Sequence, residues 1–316
     1  MKAKDTIQVS KIWDTAPHSA FTELIWFKGA FYCSFREGSG HMPGTDGKAR
    51  IIRSVDGEKW ESVALLEMEG IDVRDPKISV TPDGRIMAMI GGSVYDQKVR
   101  SKLLGMYPLV SFSDASGKNF SAPEKAVIDP EVLTGRNWIW RVTWHKGVGY
   151  GIDYGSRTPY LMKTTDGKYF EKVSKLDVDG YPNESAVRFD KNDRIHVLIR
   201  REEGDQMGVF AQSEPPYTNW SYNKIQMRLG GPNFIFHNNH IIIGSRLYEP
   251  AGAQTGIRIA DLNGNFLKTI KLPSKGDTSY PGMVVHNGKL WFSYYSSHEG
   301  KTSIYLAKIP LKELQP

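Results

Sequence analysis

The chain has one cysteine in 316 residues, so no intramolecular disulfide can staple it. That residue, Cys33, sits inside the apolar stretch Phe31-Tyr32-Cys33-Ser34-Phe35, which suits a packed thiol better than a nucleophile. No stretch approaches the ~18 consecutive apolar residues of a membrane helix. The opening Met1-Lys2-Ala3-Lys4-Asp5 lacks the apolar core of a signal peptide, so the expectation is a cytoplasmic protein with no membrane partner. Amphipathic helical patterns longer than three turns are missing. No low-complexity tract, charge run or Pro-rich linker divides the chain, and residues 1–316 are expected to form one domain. The net charge is +6, but Lys and Arg are scattered, which argues against a nucleic-acid partner. No phosphate-cradling loop, dinucleotide fingerprint or Cys/His set with metal-ligand spacing occurs, so neither a cofactor nor a metal is expected.

What is abundant is turns and aromatics: 31 Gly, 17 Pro, 15 Tyr and 8 Trp, as many short strands require. One phrase recurs six times, an apolar strand, a tight turn and a second apolar strand. The turns centre on Lys28-Gly29, Asp83-Gly84, Lys146-Gly147, Asn192-Asp193, Asn238-Asn239 and Asn287-Gly288, spaced by 55, 63, 46, 46 and 49 residues. Such turns supply the φ > 0 residues of a type I′ hairpin. A hairpin period near 50 residues predicts an all-β, six-bladed β-propeller. The blades fall at about 18–66, 72–127, 136–176, 181–225, 230–272 and 279–311. The last has only three evident strands, and the alternating segment Thr6-Ile7-Gln8-Val9-Ser10-Lys11-Ile12 is expected to complete it and close the ring.

A propeller gathers the axial ends of its inner strands at one mouth. That places His18, Arg36, Glu37, Asp75, Lys77, Arg141, Glu184, Arg200, Asn233, Arg246, Tyr280 and Tyr294 near the axis. Charge removed from water without a partner is costly, so these groups either pair with one another or face a wet pocket. Arg36, Arg200 and Arg246 each end the second strand of a blade and are expected to share one pocket, where they bind an anion or sugar hydroxyls. Trp138, Trp140, Tyr154, Tyr248 and Tyr295 offer stacking faces for a sugar ring. Loops of the first and last blades adjoin in a closed ring, which would bring His41 and His298 together.

A second recurrence lies on the outer rim. Ser54-Val55-Asp56-Gly57-Glu58-Lys59-Trp60 and Thr164-Thr165-Asp166-Gly167-Lys168-Tyr169-Phe170 share one pattern, with variants at 113–120 and 213–220. These turns resemble the Asp-boxes (BNR repeats) of the sialidase superfamily, whose catalytic domain is a six-bladed propeller. The segments Pro17-His18-Ser19-Ala20-Phe21-Thr22, Phe35-Arg36-Glu37-Gly38-Ser39-Gly40-His41, Arg74-Asp75-Pro76-Lys77 and 293–308 resemble a sialidase-like bacterial branch of it. The resemblance implies a glycosidase acting on a terminal acidic or unusual sugar. It implies Tyr280 as nucleophile, Glu184 as its base, Arg200 as an anion contact and Asp46 in the place of the acid. Sialidases carry an arginine where this chain has Pro17-His18-Ser19-Ala20; His18 is either a hydrogen-bonded structural residue at the strand entry, a stand-in for that arginine, or an acid or base.

A second arrangement pairs Asp75 with Glu184, as in glycosidases that use two carboxylates. Arg74-Asp75-Pro76 also resembles five-bladed furanosidase propellers. A lyase using His and Tyr, and an inert propeller that binds carbohydrate or protein, are the other readings.

Overall fold

The computed structural model describes residues 6–41, 45–96, 98–99 and 102–316; Gly44 of the first-blade loop lies outside them. Six sheets follow one another along the chain, antiparallel throughout except for one parallel edge in the third. Their innermost strands are His18–Phe27, Asp72–Val80, Thr143–His145, Pro182–Phe189, Asn233–His237 and Thr278–His286. The sixth sheet takes its fourth strand from the start of the chain: Gln8–Trp13 pairs antiparallel with Ser303–Pro310. Among the described residues helix is confined to one 3-10 turn, Leu311–Leu314. No helix there is long and apolar enough to cross a membrane.

Burial follows position within a blade. The second strand of blade one, Ala30–Gly38, is buried at every residue because neighbouring sheets cover both of its faces. The outermost strand of that blade, Glu61–Leu66, is exposed or half-buried at every residue except Leu66. Blade three departs from the pattern. Its inner strand is three residues long, and Val127–Ile128 adds a parallel edge to Tyr169–Lys175.

The hairpin turns obey their chemistry in two ways. Lys28-Gly29, Lys146-Gly147 and Asn287-Gly288 have both residues at positive φ, as type I′ geometry demands. The other three turns have only one such residue, Gly84, Asp193 or Asn238. The first two of these lie in longer loops closed by side chains: Thr81 Oγ1 accepts from the Arg85 amide, and Asp190 Oδ1 from the Arg194 amide. At the rim, Asp56 Oδ1 accepts from the amides of Glu58 and Lys59, and Asp166 Oδ1 from those of Lys168 and Tyr169. These carboxylates shape turns and are remote from the axis.

Four inner strands carry one extra residue relative to their partners. The register slips between Ala20 and Glu23, Arg74 and Lys77, Pro182 and Ser185, and Ser279 and Gly282. Each slip is a β-bulge, which bends the strand and re-aims side chains. The residues left unmatched are Phe21-Thr22, Asp75-Pro76, Asn183-Glu184 and Tyr280-Pro281. Phe21, Asp75 and Tyr280 take left-handed φ of 68°, 44° and 54°. For non-glycine residues this costs about 1–3 kcal/mol each, and it persists only where surrounding packing enforces it.

Arg36 does not reach the axial pocket. Its guanidinium is fully buried and donates to Asp72 Oδ1 at 2.8 Å and to the Gly40 carbonyl at 2.8 Å. Asp72 Oδ1 also accepts from the Gly47 amide, so the pair ties the first-blade loop to blade two. The expectation of three converging arginines is therefore corrected to two. The side chain ending that strand turns between blades, where a buried carboxylate holds it.

Two predictions follow from the packing. Arg36→Ala takes from buried Asp72 its closest cationic partner, leaving Arg74 at 3.8 Å and the Gly47 amide, and should cost about 3–5 kcal/mol in urea unfolding. A loss below ~1 kcal/mol would show that the pair is solvated. Burial pushes the Cys33 thiol up to about 12. Iodoacetamide at pH 8 should therefore leave it intact in the native protein and label it in urea, and native labelling would contradict this packing.

Candidate active site at the axial mouth

The bulges bring side chains from separate blades to one place. Tyr280 Oη donates to Glu184 Oε1 at 2.5 Å, joining blades six and four. Arg200 Nη1 donates to Glu184 Oε2 at 2.6 Å and lies 3.3 Å from Tyr280 Oη. The Gly231 amide completes the carboxylate's shell at 3.0 Å. Gly231 has φ +57°, and a Cβ there would lie 2.3 Å from the Tyr280 ring, so only glycine lets the backbone approach.

The two carboxyls at this mouth are driven in opposite directions. Burial alone would raise Glu184, but the Arg200 charge and the hydrogen bonds from Tyr280 and Arg200 outweigh it and hold it below its ordinary value. Asp75 is raised by burial, against the pull of Lys77 and Arg74, and its buried Oδ1 has no hydrogen-bond partner. Tyr280 is held well above an ordinary phenol, first by burial and then by the Glu184 charge. The phenol therefore keeps its proton and shares it with an ionised Glu184. The charges of Glu184 and Asp75 also act on Tyr154, which burial raises in the first place, so Tyr154 belongs to the same pocket.

Arg246 faces Tyr280 from the other side, its guanidinium 5.7 Å from the ring centroid. It donates to Tyr295 Oη at 3.1 Å and to the Thr278 carbonyl at 3.0 Å, and pairs with Asp277 at 3.4 Å. Asp277 is the residue that the sequence reading missed. Its Oδ2 meets His18 Nε2 at 3.1 Å and His41 Nδ1 at 2.6 Å, and its Oδ1 accepts from Tyr295 at 2.8 Å. Opposed by burial but favoured by these donors, its carboxyl is held far below the usual range. The usable signal was position: Asp277 precedes Tyr280 by the interval that separates Asp72 from Asp75 and His18 from Phe21.

The ligating atoms of His18, His41 and Asp277 all lie within 4.8 Å of one another, near enough to share an ion. Their mutual hydrogen bonds account for the geometry as it stands. His41 thus meets His18 and not His298, whose ring packs on Tyr305 and bonds Ser296.

Other expected site residues lie elsewhere. Tyr294 donates to the Pro273 carbonyl and stacks on Tyr305, because strand alternation turns it away from the face that Tyr295 shares with the pocket. Asn233 is fully buried and bonds the Pro281 carbonyl and Arg188. Arg141 pairs with buried Glu23 and donates to the Pro281 carbonyl, below the Tyr280 bulge. Asp46 accepts from the Ser39 amide and pins its own loop. Each fills a hydrogen-bonding role that strand position alone could not distinguish from a ligand contact.

No family model matches the chain, and no curated protein matches it. Solved structures do. A protein of unknown function from Dyadobacter fermentans superposes with a TM-score of 0.82 at 16% identity, covering 96% of this chain and 98% of that one. An α-L-arabinofuranosidase from Fusarium graminearum gives 0.72 at 15%, with 96% and 98% covered. A Trypanosoma rangeli sialidase also gives 0.72, at 12%, covering 93% of this chain; this chain spans 55% of that protein's length. The fold is that of a sialidase-like six-bladed propeller.

Proposed function

We propose that the protein is a retaining exo-glycosidase with Tyr280 as nucleophile, Glu184 as the base that activates it, and Asp75 as the acid and later base. The observation that carries this reading is the unequal hydrogen bonding of two buried carboxyls: Glu184 accepts from Tyr280, Arg200 and the Gly231 amide, while Asp75 Oδ1 has no partner among the described residues. Environments that push a pair of titratable groups apart assign the acid and the base. Likeness to sialidases and an arabinofuranosidase is consistent with glycoside chemistry.

In the first step the phenol oxygen attacks the anomeric carbon while its proton passes to Glu184 Oε1. Transfer concerted with attack avoids forming a free phenolate in a site that disfavours it. Asp75 gives its proton to the departing oxygen as the glycosidic C–O bond breaks. In the second step Asp75 takes a proton from water, the hydroxide attacks the anomeric carbon, and Tyr280 leaves and recovers its proton from Glu184. Two displacements retain configuration.

The pocket favours an uncharged terminal sugar over an acidic one. Arg200 is already paired with Glu184 and Glu202, Arg246 with Asp277, and His18 with Asp277. A substrate carboxylate would have to displace one of these partners, whereas sugar hydroxyls can share them. The same closed pairing favours one second reading, a propeller that binds a sugar without turning it over.

Aryl glycosides test both readings, with a panel holding a sialoside, uronides and neutral pyranosides and furanosides. Turnover of a neutral member is expected. Tyr280→Phe should keep the fold and lose at least ~10³-fold in kcat. A fully active Tyr280→Phe variant would remove Tyr280 as nucleophile, and no turnover across the panel favours the binding reading.

Catalysis needs Glu184 ionised and Asp75 protonated. Activity should therefore rise with pH through the lowered Glu184 and fall through the raised Asp75. Asp75→Asn should abolish the alkaline limb and hurt substrates with poor leaving groups most. An unchanged alkaline limb would reassign the acid.

A further inference from the structure

The axis holds a cavity of about 420 Å³, lined by inner-strand residues that follow the bulges. Neither Tyr280 nor Glu184 lines it; Arg141, Lys77 and the Tyr280-Pro281 bulge lie between it and the mouth. Four charged side chains face it, Glu23, Lys77, Arg141 and Arg188, so three cations share one carboxylate.

Their partners account for part of that charge. Arg141 pairs with Glu23, and Lys77, lowered by burial to about 8 against the pull of Asp75 and Glu184, donates to the Phe21 and Thr22 carbonyls. Arg188 has no such support. It donates to Asn233 Oδ1 at 2.6 Å, Thr143 Oγ1 at 3.1 Å and the Val187 carbonyl at 2.7 Å, all neutral acceptors. Burial alone lowers it, to about 10. Arg141 is lowered by burial and then by the Arg188 charge, so the two guanidinium groups work against each other. Arg141 is 3% exposed, and its buried Nε has no hydrogen-bond partner among the described residues.

We infer that this cavity is a binding site for a small oxyanion, held between Arg141 and Arg188. Guanidinium forks match the paired oxygens of carboxylate and phosphate. An anion there takes up the idle Arg141 donor and gives Arg188 an opposite charge. The cavity exceeds an inorganic anion in size and lies within the ordinary range for small-molecule sites. Trp26 and Trp144 on its wall leave room for an organic group attached to the anion. This site is separate from the proposed catalytic pocket and stands whatever the fate of that reading.

The test is calorimetric titration with inorganic phosphate and, in a second arm, glucose 6-phosphate, at fixed ionic strength in a buffer without other oxyanions. Saturable binding with one site per chain is expected. Arg188→Gln should weaken it tenfold or more, and Glu23→Gln, which removes the only carboxylate among the described residues that faces the cavity, should tighten it. Misfolding cannot produce that opposite sign, so Glu23→Gln decides the matter even if Arg188→Gln unfolds. Tighter binding of the sugar phosphate assigns an organic ligand, and equal binding a free anion. No saturable heat with wild type, or a dissociation constant indifferent to both substitutions, overturns the proposal.

Discussion

The seam between the sixth and first blades is the constraint on which the rest depends. A ring of sheets encloses an axis only if its last member is bonded to its first. Here the bonding is deep as well as peripheral. Thr22 Oγ1 donates to the Tyr280 carbonyl at 2.8 Å and receives from Ser293 Oγ at 2.8 Å, while the Ser19 amide meets the Thr302 carbonyl at 3.0 Å. These contacts join residues more than 250 positions apart in sequence and fix the two bulges, Phe21-Thr22 and Tyr280-Pro281, against each other. The Phe21 ring then packs on Tyr280 with centroids 5.0 Å apart. The strained backbone at both residues is sustained by this mutual support.

Strain and electrostatics at the mouth have one origin. A regular inner strand would alternate its side chains between adjoining blades. The extra residue in four of the strands breaks that alternation where the chain nears the axis, and so delivers Asp75, Glu184 and Tyr280 together. Convergence of carboxyls in a dry place would be prohibitive without cations. Arg200 and Arg246 supply them, and the asymmetry of their placement separates the two carboxyls. Glu184 touches Arg200 and is ionised easily; Asp75 has a bare oxygen and is not. The difference between the two carboxyls thus arises from which of them received the hydrogen bonds.

Much of the architecture was legible in the sequence because it is local. Asn287-Gly288 or Lys28-Gly29 between apolar runs dictates a hairpin whatever surrounds it, and six such hairpins at one spacing dictate the ring. The Tyr280–Glu184 contact was also legible, since both residues open inner strands. The bulges were not. Nothing in Phe21 or Tyr280 favours a left-handed backbone, and the slip in register depends on partner strands far along the chain. The same limit explains the misplaced residues. Tyr294 and Tyr295 are adjacent and chemically alike, yet one bonds a carbonyl beside the sixth blade while the other faces Arg246 and Asp277. Arg36 and Arg200 both end second strands. Only Arg36 meets a buried aspartate, the first residue of the next blade's inner strand, that draws it away from the axis.

The central claim is that Tyr280 becomes covalently glycosylated. Intact-mass measurement after incubation with a 2-deoxy-2-fluoroglycosyl fluoride of the sugar that the protein turns over tests it most directly. The account predicts a mass increase of one fluoroglycosyl unit, mapped by peptide sequencing to Tyr280 and absent from Tyr280→Phe. An adduct on Asp75 or Glu184, or turnover that inverts the anomeric configuration with no adduct, would contradict it.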